Sequence, residues 1–505
     1  MKIAYERTTK ANASASAAGK RRRAHLNFVR GVEAQMLASN DLDLTFNLGE
    51  FLARVLVENT CGIYRCDAIE QAIVKFMGVP GALPPHEGSR SLHVFTETYS
   101  FGGHTRLVRL LLEASDGDDQ IFVGGRTSAA EAAKHLGVDP ARIVKIVADD
   151  AKAQIVAAAR TIARFDRVYL SIHPADVKTA SAVLLAKTMR PEIKVGFINH
   201  ADHIFSTGLA AADYVFEISS YGWQLRVARG IADRASFVGI PIRRNAARPA
   251  AAAPKPYALS AGEGYKYRPQ PGASLPDVMN LLLAELPELT VELIGPRAKD
   301  RWWRALKNKY GDRILFFDPM PYERYLARLT SCAFYIDSFP TAGGTAFPEA
   351  LISGINVIGM KGGTWGYSCA DALRVDGLSA FLTTAKSLWR NEPVALAAQE
   401  RVRELAIDFH SPRGVAARIK ETMETGALHE LPQILDKMGR PPLLWEVNWN
   451  TRARLRLSFP AMRSLLSLQA WRIVTAVHAK CFGYLNVRTL RLLASSPDRR
   501  TRPEC

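Results

Sequence analysis

Hydrophobic and polar positions change their rhythm several times along the 505 residues. From Asn27 to Met77 apolar residues recur at helical spacing, as in Phe51 and Val55 or Ile69, Ile73 and Met77, with an interruption near Cys61-Gly62. That period predicts a small helical module. From Ser91 short β-branched runs alternate with Ala- and Leu-rich helical stretches, at the interval of βα units. The predicted strands are His93–Glu97, Gln120–Val123, Ile143–Val147, Arg167–Ile172, Lys194–Asn199, Tyr214–Ile218 and Ser236–Ile240. Several are largely apolar, which suits parallel strands covered on both faces.

A second alternation follows the unpatterned, Ala/Pro/Arg-rich stretch Arg243–Pro256. Strands are expected at Tyr257–Ser260, Thr290–Ile294, Ile314–Phe317, Ala333–Ile336 and Asn356–Gly359. Helices are expected between them at Leu275–Leu286, Arg301–Lys309, Pro321–Leu329 and Thr345–Ile352, and helices Val394–Ile407 and Pro412–Met423 should close this unit. No sequence repeat links the two series. The fold class is therefore α/β, with two successive doubly wound domains and a small N-terminal helical module. The expected boundaries are a disordered basic arm at 1–26, the helical module at 27–90, a first domain at 91–242, a linker at 243–256, a second domain at 257–430 and a basic helical tail at 431–505.

Composition narrows this only at the ends. With 48% hydrophobic and 23% charged residues, the chain is neither wholly disordered, collagenous nor coiled-coil. No stretch of ~18 uncharged apolar residues exists, and the first thirty residues lack an apolar leader, so membrane spanning and secretion find no support. Six scattered cysteines fit a reducing cytoplasm, and Cys61 and Cys66 read as packing thiols. The net charge of +17 is confined to the ends: residues 1–30 carry +7 and residues 451–505 carry +9, leaving about +1 in between. That excludes nucleic-acid binding by the central domains. In the tail Met462, Leu466, Ala470, Ile473 and Val477 share one helical face flanked by Arg463, Arg472 and Lys480. Such a segment could lie on an anionic membrane surface at its inner face. Leu465, Leu468 and Trp471 fall outside the stripe, which suits packing against the protein as well.

Ligands of open α/β sheets gather beyond the carboxyl ends of the strands. After the first strand, Gly102 and Gly103 open a turn into a helix that starts near His104, where the helix dipole should keep the imidazole neutral and available as a base. Asn199-His200-Ala201-Asp202-His203 ends another strand and reads as a substrate contact, with His200 and Asp202 toward the acceptor, because no third or fourth metal ligand is evident. After Ser260, Gly264 gives access while Lys266 and Arg268 could neutralise a diphosphate. After Asp337 the run Gly343-Gly344-Thr345-Ala346 opens a helix whose amides could meet phosphate oxygens, and Glu349, one turn inside, could accept both hydroxyls of a ribose.

Two Rossmann-like units, the proline-containing segment Val238-Gly239-Ile240-Pro241 and the block from Pro321-Tyr322 to Gly359 together resemble the GT-B superfamily of sugar-nucleotide glycosyltransferases over roughly residues 91–425. Glu263-Gly264-Tyr265-Lys266 and Gly343-Gly344-Thr345-Ala346 with Glu349 are similar to the uridine-diphosphate-binding segments of O-linked N-acetylglucosamine transferases and bacterial N-glucosyltransferases. The resemblance implies Lys266 on the diphosphate, Thr345 and Ala346 at the phosphate-binding helix start, and Glu349 on the ribose. Retaining family-4 enzymes carry a second glutamate where this chain has Thr341, which leans toward inversion. Gly344 replaces a histidine of the O-linked N-acetylglucosamine transferases, and no tetratricopeptide repeat precedes the core.

The implied activity is metal-independent transfer of a UDP-linked sugar to a glycan, a lipid-linked or a protein acceptor, with His104 or His200 as the base and no cofactor. The alternatives are a nucleotide-sugar 2-epimerase, for which Glu97 is the candidate acid/base carboxylate, and a non-catalytic membrane-surface adaptor. Neither Asp41-Leu42-Asp43 nor Asp116-Gly117-Asp118 follows a predicted strand, the position from which an Asp-x-Asp pair holds a divalent ion. Chelation with EDTA should therefore leave transfer nearly intact; complete loss restored by magnesium would overturn this.

Overall fold

The computed structural model describes residues 19, 22–78, 90–100, 103–115, 117, 119–245, 255–270, 272–362, 365–437, 461, 465 and 468–482. Its first sheet is formed by β1 (Ser91–Phe95), β2 (Gln120–Val123), β3 (Ile143–Val144), β4 (Arg167–Ser171), β5 (Lys194–Asn199), β6 (Tyr214–Glu217) and β7 (Ala235–Phe237), in the order β3-β2-β1-β4-β5-β6-β7. Its second is formed by β8 (Lys255–Ala261), β9 (Thr290–Ile294), β10 (Ile314–Phe317), β11 (Cys332–Ile336), β12 (Val357–Met360) and β13 (Arg374–Val375), in the order β10-β9-β8-β11-β12-β13. Strand pairing is parallel throughout both sheets. The strand order reverses between β1 and β4 and between β8 and β11, which opens a crevice beyond each pair.

Apolar runs explain the match between expected and observed strands. All five residues of β1 and all four of β12 are buried, as covered parallel strands require. The expected strand Ile143–Val147 shortens to β3, and Ser236–Ile240 becomes β7, which begins one residue earlier and ends sooner. β13 is too short to carry a period, and both it and the following helix Gly377–Trp389 were not anticipated.

Helix Pro393–His410 stays with the second sheet, where Gln399 exchanges two 2.9 Å hydrogen bonds with the backbone of Val357. Helix Pro412–Thr425 does not close that unit as expected. It crosses back onto the first sheet because Val415, Ile419 and Met423 form an apolar stripe that packs with Phe216 and Ile198. Lys194 Nζ donates to the Met423 carbonyl at 3.0 Å, and a Cβ on Gly196 would stand 2.8 Å from the Met423 sulfur. At the crossing, His410 Nδ1 donates to the Ile240 carbonyl at 2.8 Å, while Ile242 N–H donates to the His410 carbonyl at 2.8 Å. Of the expected linker, residues 246–254 lie outside the described residues.

The N-terminal module holds a helix at 22–37 followed by helices Leu42–Glu58 and Asp67–Val74. Asp41 caps the second, its carboxylate accepting from Leu44 N–H at 2.7 Å, so the triplet Asp41-Leu42-Asp43 begins as a helix cap. Helix Leu468–Phe482 completes this module's core. Ala470 and Val474 are buried, Ile473 and Val477 pack beside them, and a Cβ on Gly31 would meet Val477 Cγ1 at 2.6 Å. The described part of the face that suits either a membrane or the protein, Ala470, Ile473 and Val477, thus packs against the protein. Met462, Arg463 and Leu466 lie outside the described residues, as do 1–18 of the basic arm and Gly102. Among the described residues no helix is long and apolar enough to cross a membrane.

Val474→Asp should destabilise the full-length chain by about 2–4 kcal/mol, because it places an unpaired carboxylate in the shared core. Urea denaturation followed by circular dichroism measures this; a wild-type midpoint would mean that Leu468–Phe482 contributes nothing to the module.

Candidate active site between the two sheets

Strand β1 delivers the chain into helix Gly103–Ala114, whose second residue is His104. His104 Nε2 lies 3.1 Å from the Ser171 carbonyl at the end of β4. A carbonyl only accepts, so Nε2 carries the proton and Nδ1 keeps the lone pair. The ring stacks on His200, which follows β5, with centroids 4.0 Å apart. Both histidines singled out from the sequence are therefore brought together. Burial pushes the His104 pKa down to about 4. Burial and the neighbouring His104 hold His200 well below its ordinary value, and its Nδ1 is buried without a hydrogen-bond partner. A third histidine, His173, stands two residues beyond β4 and is also held low by burial. Its place after a strand was the signal that could have found it.

Asp202 does not face an acceptor. It is 1% exposed and accepts from Ser219 Oγ within a buried network in which Asn199 Nδ2 donates to Glu217 at 3.0 Å and Arg229 pairs with Glu217 at 3.4 Å. A short carboxylate next to a buried serine is a structural anchor here. His203 is the neighbour of its other oxygen, with Nδ1 at 3.4 Å. Glu97 is also engaged, accepting from Tyr99 Oη at 3.1 Å and Arg126 N–H at 3.3 Å.

On the second unit, Gly264 opens a single 3₁₀ turn, Gly264–Tyr267, that carries Lys266; Arg268 follows it, exposed. Thr341 N–H donates to the Lys266 carbonyl at 3.2 Å, which ties this turn to the loop after β11. Lys266 makes no side-chain hydrogen bond or ion pair with another described residue. Burial lowers its pKa while the charges of Asp337 and Glu263 pull it back up. Asp337 shapes the neighbouring turn by accepting Gly343 N–H at 3.1 and 3.0 Å on its two oxygens. A Cβ at position 343 would come within 2.5 Å of Asp337 Oδ1, so the turn requires glycine. Arg374 donates to Asp337 at 2.6 Å and also pairs with Asp371, giving a buried triad in which each charge has a partner. Gly344 packs over the Tyr367 ring, and the helix runs Ala346–Ile352 with Thr345 immediately before it.

Glu349 is not open to a ribose in this conformation. Its buried carboxylate is gripped by Arg106 from the first unit, through Nη1 at 3.1 Å and through Nη2, by Tyr322 Oη, and by Asn245 Nδ2 at 3.3 Å. The Arg106 guanidinium also lies 4.8 Å from the Tyr322 ring centroid. Between Gly103 and Arg106 on one side and Thr345 and Glu349 on the other, only about 10 Å³ remains. That is at the limit for a single water. Arg106 was not singled out from the sequence, although one signal was present: a cation in the first turn of a helix opposes the dipole and implies an anionic partner. Among the described residues no group of three or more His, Cys, Asp and Glu side chains is gathered as a metal ion requires.

Two parallel doubly wound sheets with their carboxyl edges sharing this cleft make the GT-B fold. No family model and no curated protein sequence matches the chain. Among solved structures it is similar to Anabaena Alr3699/HepE in complex with UDP and glucose, at 13% identity and TM-score 0.51 over 67% of this chain and 100% of that one. The same protein with UDP gives 15% identity and TM-score 0.51 over 66% and 100%. A Thermobaculum terrenum O-GlcNAc transferase mutant gives 15% identity and TM-score 0.49 over 76% and 79%.

The low pKa of His104 makes stability pH-dependent with a defined sign. Unfolded, the imidazole takes a proton near 6.5; folded, only near 4. Between those values the unfolded chain binds more protons, so stability present above pH 6.5 is lost as the pH falls toward 4, by up to about 3 kcal/mol for this group. His104→Gln should flatten the fall of the urea midpoint across this window. An unchanged slope would mean that His104 is protonated as readily in the folded chain.

Proposed function

We propose that the chain is a glycosyltransferase that binds a UDP-linked sugar on its second unit and transfers the sugar to an acceptor held against the first. The observation that carries this reading is Lys266, a largely buried cation without a side-chain partner among the described residues, joined by the Thr341 backbone bond to the Gly343–Ala346 turn. A diphosphate satisfies such a cation and the amides of such a turn together. Solved proteins of this fold that hold UDP support the reading.

In this reading Lys266, Arg268 and the amides of Gly344, Thr345 and Ala346 take up the charge that grows on the departing diphosphate. Glu349 receives the ribose hydroxyls once Arg106 releases it. The acceptor nucleophile attacks the anomeric carbon, the bond from that carbon to the phosphate oxygen breaks, and the acceptor proton passes to a neutral imidazole, His200 or His104. The chemistry needs no cofactor. Thr341, standing where the resembling retaining enzymes carry a carboxylate, favours inversion. The acceptor is a glycan, a lipid-linked sugar or a protein, and the compartment is the cytoplasm.

Lys266→Ala and Glu349→Ala should each weaken UDP-sugar binding by roughly ten- to hundredfold, the cost of one charge-assisted hydrogen bond. Calorimetric titration measures it, and wild-type affinity in both variants would overturn the donor site. Incubation with radiolabelled UDP-sugars tests the reaction itself: transfer or slow hydrolysis is expected, whereas epimer formation alone would make the chain a 2-epimerase, and no turnover would leave a non-catalytic adaptor.

A further inference from the structure

A second cavity, of about 1140 Å³, opens on the opposite side of the first sheet from the cleft. Ser91, Gln120 and Arg167 begin strands β1, β2 and β4 and lie at its floor, whereas the cleft gathers the far ends of the same strands. The facing wall is helix Pro412–Thr425, which arrives from the second unit. The space exists because small residues meet where the walls approach: Ala114 and Ser115 on one side, Ala416 and Ala417 on the other.

The charges around it are unevenly satisfied. Each carboxylate is already engaged: Asp119 with His93 at 3.2 Å, Asp139 with Ala141 N–H at 2.8 Å, and Glu424 with Arg167 at 3.1 Å. Arg413 and Lys420 line the cavity, are exposed, and make no hydrogen bond or ion pair with another described residue. Arg142 donates Nε to the Asp119 carbonyl at 2.8 Å and leaves Nη2 without a partner. Arg413 and Lys420 are seven residues apart on one helix, two turns or about 10 Å. His93 and Tyr169 also line the cavity and stack on each other with centroids 4.8 Å apart. The volume lies just above the range of about 300–1,000 Å³ usual for small-molecule sites and far beyond that of a single ion.

We propose that this cavity is a second ligand site, for a small molecule bearing two or more phosphate groups, held by Arg413 and Lys420 with Arg142 at its side. Such a ligand would bond the crossing helix to the first unit. The site does not depend on the donor reading, since none of its residues touches the cleft.

Inorganic tripolyphosphate is the probe, titrated calorimetrically into four full-length chains. The wild type and Lys266→Ala should both bind it. Arg413→Ala/Lys420→Ala should bind at least tenfold more weakly, with its melting temperature unchanged because both positions are exposed. Lys134→Ala/Arg160→Ala removes two exposed cations elsewhere and should behave as wild type. Absence of binding to the wild type, equal losses in the two double variants, undiminished binding by Arg413→Ala/Lys420→Ala, or loss confined to Lys266→Ala would each overturn the proposal; the last would place the phosphates in the cleft instead.

Discussion

Both passages of the chain between its two sheets run past one buried imidazole. His410 donates from Nδ1 to the carbonyl of Ile240, just beyond β7, and accepts at Nε2 from Cys369 N–H at 3.4 Å in the second unit. A carbonyl demands a donor and an amide demands a lone pair, so only the neutral tautomer meets both. Burial enforces that state by holding the pKa near 4. The backbone of the same residue accepts from Ile242, which stitches the outgoing passage to the returning one. The two passages are thus bound side by side, and the placement of the two sheets across the cleft rests on this junction.

The cleft itself is built from charges that oppose their local surroundings. Arg106 sits where a helix start disfavours a cation, Glu349 is almost fully buried, and each is tolerable because the other is there. Asp337, Arg374 and Asp371 solve the same problem within one unit, and their product is the geometry of the Gly343 turn. Lys266 differs in having its charge only balanced at a distance. The pair that closes the cleft is thus satisfied by the protein itself, whereas Lys266 has no side-chain partner among the described residues.

Much of this was legible in the sequence because burial on both faces leaves a mark on composition. Strands such as Lys194–Asn199 and Thr290–Ile294 fall where short, largely apolar runs put them, and His104, His200 and Lys266 follow strands that the pattern locates. What stayed hidden depends on tertiary pairing. Asp202 reads as a ligand-facing carboxylate until Ser219 and Arg229 close over it, and Glu349 reads as open until Arg106 reaches it from 243 residues away. The stripe through Ala470 and Val477 suits a bilayer and a protein core equally; Gly31, which leaves room for Val477, decides for the core.

That last contact joins the two ends of the chain. The helix at 22–37 presents Phe28 and Val32 to a core completed by Ala470 and Val474, residues synthesised more than four hundred positions later. The same cluster continues through Phe51 and Ile69 to Val168 and Val195 of the first sheet, so this contact closes over a core that the first domain shares. It closes a loop of more than four hundred residues, and because the entropic cost of such a loop grows only with the logarithm of its length, one half as long would cost just about 0.6 kcal/mol less.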